Sequence, residues 1–202
     1  MKIISIKKAF SITKVEKNNN IKTVQEIINQ VKLNGDSALT KFEKKFNGVD
    51  IKNLQVTKKE ISKAYEFVSK DQIVAITMAK DRLVKTETKL KKQLKQIKII
   101  ESGTKVTKSF VPLGSAGCYV PGGLARYPSS AIMSIVPAKL AGVEKIVMVT
   151  PPNNQGKIDP VVLVAADICG ADLIFKVGGA HAIAALAYGT KTIPQVDKIV
   201  GP

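Results

Sequence analysis

The second half of the chain alternates short apolar runs with segments rich in small residues, and this pattern restricts the fold more than any other feature. Strand-like runs lie at 116–120, 145–150, 173–177 and 198–200, and helix-like segments lie near 130–141, 160–169 and 180–188. Alternation of this kind predicts a parallel sheet with right-handed crossovers and helices on its faces. Such a sheet binds ligands at the carboxyl ends of its strands. We therefore predict an α/β fold.

The first half of the chain predicts a series of helices. Thr23 with Glu26, Thr57 with Glu60, and Ser69 with Gln72 have the spacing of capping boxes, and each pair precedes a stretch with helical periodicity. Asp36 follows an Asn-Gly pair and is in position to cap the helix that begins there, with Leu39, Phe42 and Phe46 on one face. The first half is therefore expected to be helical.

The period of the apolar residues changes near residue 97. Two alternating stretches flank a Ser-Gly pair at 102–103, which predicts a β-hairpin. We place the boundary between the two parts of the chain at this change. The predicted organisation is a helical region at 1–96 followed by an α/β domain at 97–202.

Basic residues are concentrated in the first half of the chain. The formal net charge is +16, and residues 1–100 hold 23 of the 32 lysines and arginines. Only Arg82 and Arg126 are arginine, the side chain that suits base edges and bidentate phosphate contacts best. Two interpretations stay open: a solvated lysine-rich face, or a non-catalytic α/β module that binds nucleic acid through residues 1–100.

The sequence has no sign of a membrane or secreted location. No apolar run approaches the roughly 18 residues needed to cross a bilayer, and the first residues lack the pattern of a secretory signal. The two cysteines, Cys118 and Cys169, do not form a disulfide framework. We predict a cytoplasmic protein.

Two glycine-rich loops follow predicted strands. The loop at 117–123 contains Tyr119, and the loop at 177–181 contains His181, the only histidine of the chain. Helix N-termini after such loops favour phosphate groups. Neither loop has the GxGxxG fingerprint, and 117–122 lacks the Lys and Ser/Thr that follow a phosphate-binding loop. Ordinary tight turns and ligand binding both stay open.

His181 and the cysteines are the candidate reactive side chains. His181 fits a polar residue at a helix N-terminus, a catalytic base or a metal ligand. One histidine and two distant cysteines have no recognised zinc spacing. The thiolate of Cys118 could attack an aldehyde, but its small-residue strand favours a packed and unreactive thiol.

Long segments around these loops strongly resemble histidinol dehydrogenases. The resemblance is carried by Val-Pro-Leu-Gly-Ser-Ala-Gly-Cys-Tyr-Val-Pro-Gly-Gly at 111–123, by Tyr-Pro-Ser-Ser at 127–130, and by 137–143, 149–152, 177–190 and 194–202. The helical first half matches the family more loosely. The resemblance is far more specific than a glycine motif, because it is nearly continuous through the second half of the chain.

The resemblance implies a homodimeric, zinc-dependent enzyme of histidine biosynthesis. Such enzymes oxidise L-histidinol to L-histidinal and then to L-histidine, and they reduce two NAD⁺. The implied core is Rossmann-like, is related in fold to aldehyde dehydrogenases and binds NAD without the usual glycine fingerprint. By motif position, Tyr119 would contact NAD. His181 occupies the second cofactor position, where the family typically has glutamine, and we expect it to replace that side chain's hydrogen bond.

The family's other functional residues are expected outside these 202 residues. Histidinol dehydrogenases continue past the Gly-Pro at 201–202, and the later part supplies the zinc ligands and a Glu-His acid–base pair. We therefore expect no catalytic residue and no metal ligand in this chain, which by itself is predicted to be inactive. The expected substrate is L-histidinol, with neither nucleic acid nor a membrane as partner. A different substrate for an enzyme of the same fold stays an alternative.

Overall fold

The computed structural model describes residues 19–122 and 126–202. Its helices are α1 (Asn19–Asn34), α2 (Asp36–Asn47), α3 (Lys58–Tyr65), α4 (Lys70–Lys91), α5 (Pro128–Ala141), α6 (Pro160–Cys169) and α7 (Gly179–Tyr188). Its strands are β1 (Ile97–Glu101), β2 (Thr104–Lys108), β3 (Ser115–Tyr119), β4 (Lys145–Thr150), β5 (Leu173–Lys176) and β6 (Lys198–Val200). The start of the predicted helical region, 1–18, and the end of the first glycine loop, with Gly123, lie outside the described residues.

Four strands form a parallel sheet in the order β5-β4-β3-β6. The helices α5, α6 and α7 connect β3, β4, β5 and β6 in turn. Both faces of the sheet are covered: Ile146 and Met148 of β4 pack in one apolar core with α5 and α6, whereas Val147 and Val149 pack in a second core with α7. A strand that is buried on both faces appears in the sequence as a continuous apolar run. The predicted α/β, Rossmann-like fold class is confirmed.

The N-terminal helices complete both cores. Ala64 of α3 and Ile76 of α4 lie in the core with α5 and α6. Val31 of α1 and Leu39 of α2 lie in the core with α7. Helices from before residue 96 thus share their cores with the sheet, and the proposed boundary between 1–96 and 97–202 stays a prediction.

The predicted helix starts are confirmed at two places and wrong at two others. Thr23 does not begin a helix, because α1 already includes Asn19 and Thr23 lies inside it. Thr57 opens α3 and Ser69 opens α4, each with a complete capping box. The N-cap of α2 is Gly35 rather than Asp36, which is the first helical residue. The Asp36 carboxylate is already engaged, because it accepts a hydrogen bond from the hydroxyl of Thr192.

The predicted hairpin is confirmed. The strands β1 and β2 pair antiparallel, with Ile99 opposite Val106, through a turn in which Ser102 and Gly103 have φ of 49° and 81°. Every residue of both strands is exposed. Within residues 19–122 and 126–202, no helix has the length and apolar character to cross a membrane.

Candidate functional site

The loops that leave three neighbouring strands meet at Pro151. Gly122 lies beyond β3, Pro151 directly follows β4, and Gly178 lies beyond β5. A Cβ added at Gly122 would be 2.5 Å from Cγ of Pro151, and one added at Gly178 would be 2.5 Å from Cβ of Pro151. Only glycine allows the loops to approach this closely. The carboxyl edge of the sheet is therefore one continuous surface built from three loops.

An open crevice of about 740 Å³ lies at this edge. Its volume is in the range of cofactor sites, and its position is the usual one for ligands of parallel sheets. Arg126 lies in the wall, with Nε 3.0 Å from Oδ2 of Asp159, the N-cap residue of α6. The lining also includes Pro121, Pro151, Pro152, the ring of Phe46 and the amides of Asn47, Asn153, Asn154 and Gln155. The crevice thus combines apolar walls with hydrogen-bonding groups and the ion pair of Arg126 and Asp159.

Tyr119 connects the two glycine loops. It is the last residue of β3, and its hydroxyl accepts a hydrogen bond from the backbone N–H of Gly179, with 3.2 Å between nitrogen and oxygen. Gly179 has φ of +59°, in the left-handed region. Residues 178 and 179 are called the Gly178-Gly179 turn below. The structure brings together the two loops that the sequence places 60 residues apart.

His181 lies in the first turn of α7, and its ring faces the protein interior. Only 2% of the residue is exposed. Its Nε2 is 2.8 Å from Oε1 of Glu43, and its ring packs beside those of Phe42 and Phe46. Nδ1 has no hydrogen-bond partner among the described residues. The edge of the ring formed by Nδ1 and Cε1 lies beside Gly179, where an added Cβ would be 3.4 Å from each of these atoms. Tyr119 and His181 therefore lie against the same turn.

Glu43 of α2 is absent from the residues predicted above, yet it is central to this site. The carboxylate is fully buried. Its Oε1 accepts hydrogen bonds from Nε2 of His181 and from N–H of Gly178, both at 2.8 Å, and its Oε2 accepts one from Nδ2 of Asn47 at 2.6 Å. Burial raises the pKa of Glu43, but the hydrogen bonds from His181, Asn47 and Gly178 outweigh it and lower the pKa. The carboxylate is therefore ionised at neutral pH.

The sequence did contain a signal for Glu43. Leu39, Phe42 and Phe46 form the apolar stripe of α2, and Glu43 follows Leu39 by one helical turn. An acidic residue on the apolar stripe is buried unless the helix rotates, and buried acids need partners. The identity of the partner, 138 residues further along the chain, could not be read from the pattern.

Both cysteines are buried thiols. Burial raises the pKa of Cys118, although a hydrogen bond with Ser134 opposes it, and the pKa is about 11. Burial also raises the pKa of Cys169 to about 11, against the opposing charge of Lys80. Because the thiolate is the nucleophile, these cysteines are unreactive near neutral pH.

The described residues do not fit a resident zinc ion. Within 19–122 and 126–202, no three His, Cys, Asp or Glu side chains are grouped so that they could hold a metal. A protein zinc site needs three or four such ligands. No chemical step in this part of the chain is therefore assigned to a metal.

Comparison with known proteins gives one consistent result. The chain is 51% identical over 184 residues to a histidinol dehydrogenase of Clostridium acetobutylicum. The matched region covers 90% of this chain and 42% of that protein. It is 46% identical over 180 residues to a histidinol dehydrogenase of Methanococcus maripaludis. This match covers 89% of this chain and 42% of that protein.

Its fold also matches a crystal structure of histidinol dehydrogenase from Elizabethkingia anophelis. The TM-score is 0.84 at 34% identity, over 93% of this chain and 43% of that one. The chain thus spans well under half the length of the relatives it matches. Residues 11–202 match the family model described as histidinol dehydrogenase, and the chain therefore belongs to the histidinol dehydrogenase family.

Proposed function

We propose that this chain is the cofactor-binding part of an enzyme that oxidises L-histidinol to L-histidine through L-histidinal. The observation that carries the proposal is the family match over residues 11–202, which includes both loops at the carboxyl edge of the sheet. NAD would accept a hydride in each of the two oxidations. The chain's own residues bind and orient the cofactor.

The proposed cofactor site is the carboxyl edge of the sheet, from the crevice beside Pro151 to the adjacent Gly178-Gly179 turn. Tyr119 and His181 lie at the turn and do not line the crevice itself. The apolar walls of the crevice suit a planar ring, and its side-chain amides suit the polar edge of a base. Arg126 adds a positive charge to the wall, although it is already paired with Asp159. Parallel α/β sheets bind nucleotides in this position, which supports the assignment.

Tyr119 and His181 are proposed as cofactor-binding residues with different roles. The half-buried Tyr119 has a hydroxyl at the loop surface, where it can exchange its bond to Gly179 for one to the cofactor. The buried His181 supports the Gly178-Gly179 turn from within, with the edge of its ring formed by Nδ1 and Cε1 beside Gly179. Tyr119 therefore touches the ligand, and His181 shapes the surface that receives it.

The remaining parts of the activity are proposed for the portion of the relatives that this chain does not match. We assign the zinc ligands and the acid–base residues to that portion, and a homodimeric, cytoplasmic state to the complete enzyme. The division at residues 96 and 97 is proposed as a division by sequence pattern, between a helical region and the Rossmann-like domain.

A calorimetric titration of the chain with NAD tests the cofactor site. We expect binding, and we expect Tyr119→Phe to weaken it about fivefold, the value of one hydrogen bond of about 1 kcal/mol. Tyr188→Phe is the matched control, because Tyr188 lies at the far end of α7. Equal NAD affinities for the two variants would show that the hydroxyl of Tyr119 does not bind the cofactor.

A second assay tests the assignment of the catalytic residues. The chain mixed with L-histidinol and NAD is expected to form no NADH. Histidinol-dependent NADH production by the purified chain would overturn the proposal that its catalytic groups lie elsewhere.

A further inference from the structure

The buried carboxylate of Glu43 determines which nitrogen of His181 carries a proton. An ionised carboxylate can only accept hydrogen bonds. The contact of 2.8 Å between Nε2 and Oε1 therefore requires a proton on Nε2. A second proton, on Nδ1, would create a buried donor without a partner among the described residues, and such donors are costly. Nδ1 therefore keeps its lone pair.

The same carboxylate holds the backbone of the Gly178-Gly179 turn. The N–H of Gly178 donates to Oε1 of Glu43, and the N–H of Gly179 donates to the hydroxyl of Tyr119. Two successive amides are thus bound by side chains from two other elements, α2 and β3. Gly178 also lies so close to Pro151 that an added Cβ would be 2.5 Å from Cβ of the proline. The turn is therefore held by contacts with α2, with β3 and with the loop after β4.

Nothing else in α2 can replace Glu43 in this role. Asn47 lies one turn later and donates to the second oxygen of Glu43. Phe42 and Phe46 contact the ring of His181 but offer no hydrogen-bond acceptor. Glu43 is the group through which α2 is hydrogen-bonded to both the turn and the histidine.

We propose that Glu43 is a positioning residue of the cofactor site: it selects the Nε2-protonated form of His181 and fixes the Gly178-Gly179 turn in the shape that receives the cofactor. This inference rests on the proposed function for the identity of the ligand. Its structural content, the state of His181 and of the turn, can be measured without any ligand.

The test uses the 202-residue chain, whose single histidine gives one unambiguous nitrogen NMR signal pair. We expect the unmodified chain near neutral pH to show a proton on Nε2 and a lone pair on Nδ1. In Glu43→Leu the side chain has no hydrogen-bond acceptor, so the donors of His181, Gly178 and Asn47 all lose their partner. We expect a loss of the Nε2-protonated form, at least about tenfold faster exchange of the Gly178 amide and at least about fivefold weaker NAD binding.

Two further variants keep the outcomes separable. Glu144→Leu makes the same substitution at an exposed residue and is expected to leave all three measurements unchanged. If Glu43→Leu does not fold, Asn47→Ala removes one of the three donors to Glu43 and is expected to shift the histidine signals and the Gly178 exchange in the same direction by less.

Unchanged histidine signals and Gly178 exchange in a folded Glu43 or Asn47 variant would overturn the inference. If the unmodified chain fails to bind NAD, the proposed function fails, and the NMR and exchange results alone decide the role of Glu43.

Discussion

Two ionisable pairs, Glu43 with His181 and the partly exposed Glu60 with Lys176, show how this core accommodates charged side chains. Glu43 is fully buried and accepts three hydrogen bonds. Lys176, 7% exposed, lies 2.9 Å from Glu60, which also closes the capping box of α3. In each pair the charge is compensated by hydrogen bonds from more than one element. Each pair therefore ties an N-terminal helix to the end of β5 or to the turn beyond it.

The acid stability of the chain is expected to depend on these two glutamates. Burial raises the pKa of Glu60, but hydrogen bonds from Thr57 and Lys176 outweigh it, so its pKa, like that of Glu43, lies below the ordinary 4.5. A folded-state pKa below the unfolded one gives stability that is complete above 4.5 and is lost as pH falls through the lowered value. Urea unfolding measured from about pH 7 to about pH 3 should show this loss.

Glu43→Gln provides the control for this pH dependence. It removes one of the two titrating groups, so the free energy of unfolding should be lower at neutral pH and should fall less on acidification. An identical pH dependence in the variant would show that Glu43 does not contribute.

The thiols of Cys118 and Cys169 are expected to resist alkylation in the folded chain. Both are buried, with pKa values of about 11, so they are protonated at neutral pH. Iodoacetamide should modify neither residue in native buffer and both in denaturant, as measured by mass spectrometry. Rapid labelling of Cys118 in the native chain would instead support the alternative that its thiolate acts as a nucleophile.

At the scale of elements, the assembly of the site depends on the close approach of two glycines, in the loops after β3 and β5, to the proline in the loop after β4. The strands β3, β4 and β5 are parallel neighbours, so their carboxyl ends meet at one edge. Pro151 stands between Gly122 and Gly178, and a Cβ at either glycine would collide with it. The two collisions involve different atoms of the proline ring.

This difference predicts opposite outcomes for two double variants. Gly122→Ala and Gly178→Ala should each cost about 1–3 kcal/mol, the usual cost of overpacking. Pro151→Ala removes Cγ, the nearest atom to Gly122, but retains Cβ, the nearest atom to Gly178. It should therefore recover stability in the Gly122→Ala background and not in the Gly178→Ala background.

Double-mutant cycles from urea unfolding measure the two couplings. Equal couplings at the two glycines would mean that the loops move apart rather than collide as the structure indicates.

At the scale of the whole molecule, the basic charge lies mainly on the N-terminal helices and the hairpin. The long helix α4 and the exposed strands β1 and β2 hold lysines at 70, 80, 85, 89, 91, 98, 105 and 108. The surface has few arginines, and the chain belongs to a metabolic enzyme family. A solvated face is the interpretation that agrees with both facts.

We expect this face not to bind nucleic acid. Electrophoretic mobility of duplex DNA and of RNA should be unchanged by the chain even at low salt, where phosphate contacts are strongest. A shift that weakens steeply as salt is added would instead support the nucleic-acid-binding alternative.

Much of the fold could be predicted because its signals are local. Capping boxes at Thr57 and Ser69 and the turn at 102–103 depend on residues within a few positions, so their spacing determines them. The sheet follows from the alternation of elements and the handedness of crossovers. Even here, the N-cap of α2 is Gly35, and the carboxylate of Asp36 binds Thr192 across the fold instead of capping the helix.

The sequence by itself determined the α/β architecture, the two loops with Tyr119 and His181, and the family. Only the tertiary structure decided that these loops meet at Pro151, that His181 turns inward, and that Glu43 binds both His181 and Gly178. The physical reason is separation along the chain. Local spacing fixes backbone conformation, whereas a buried carboxylate finds its donors only when packing brings α2 against the end of β5.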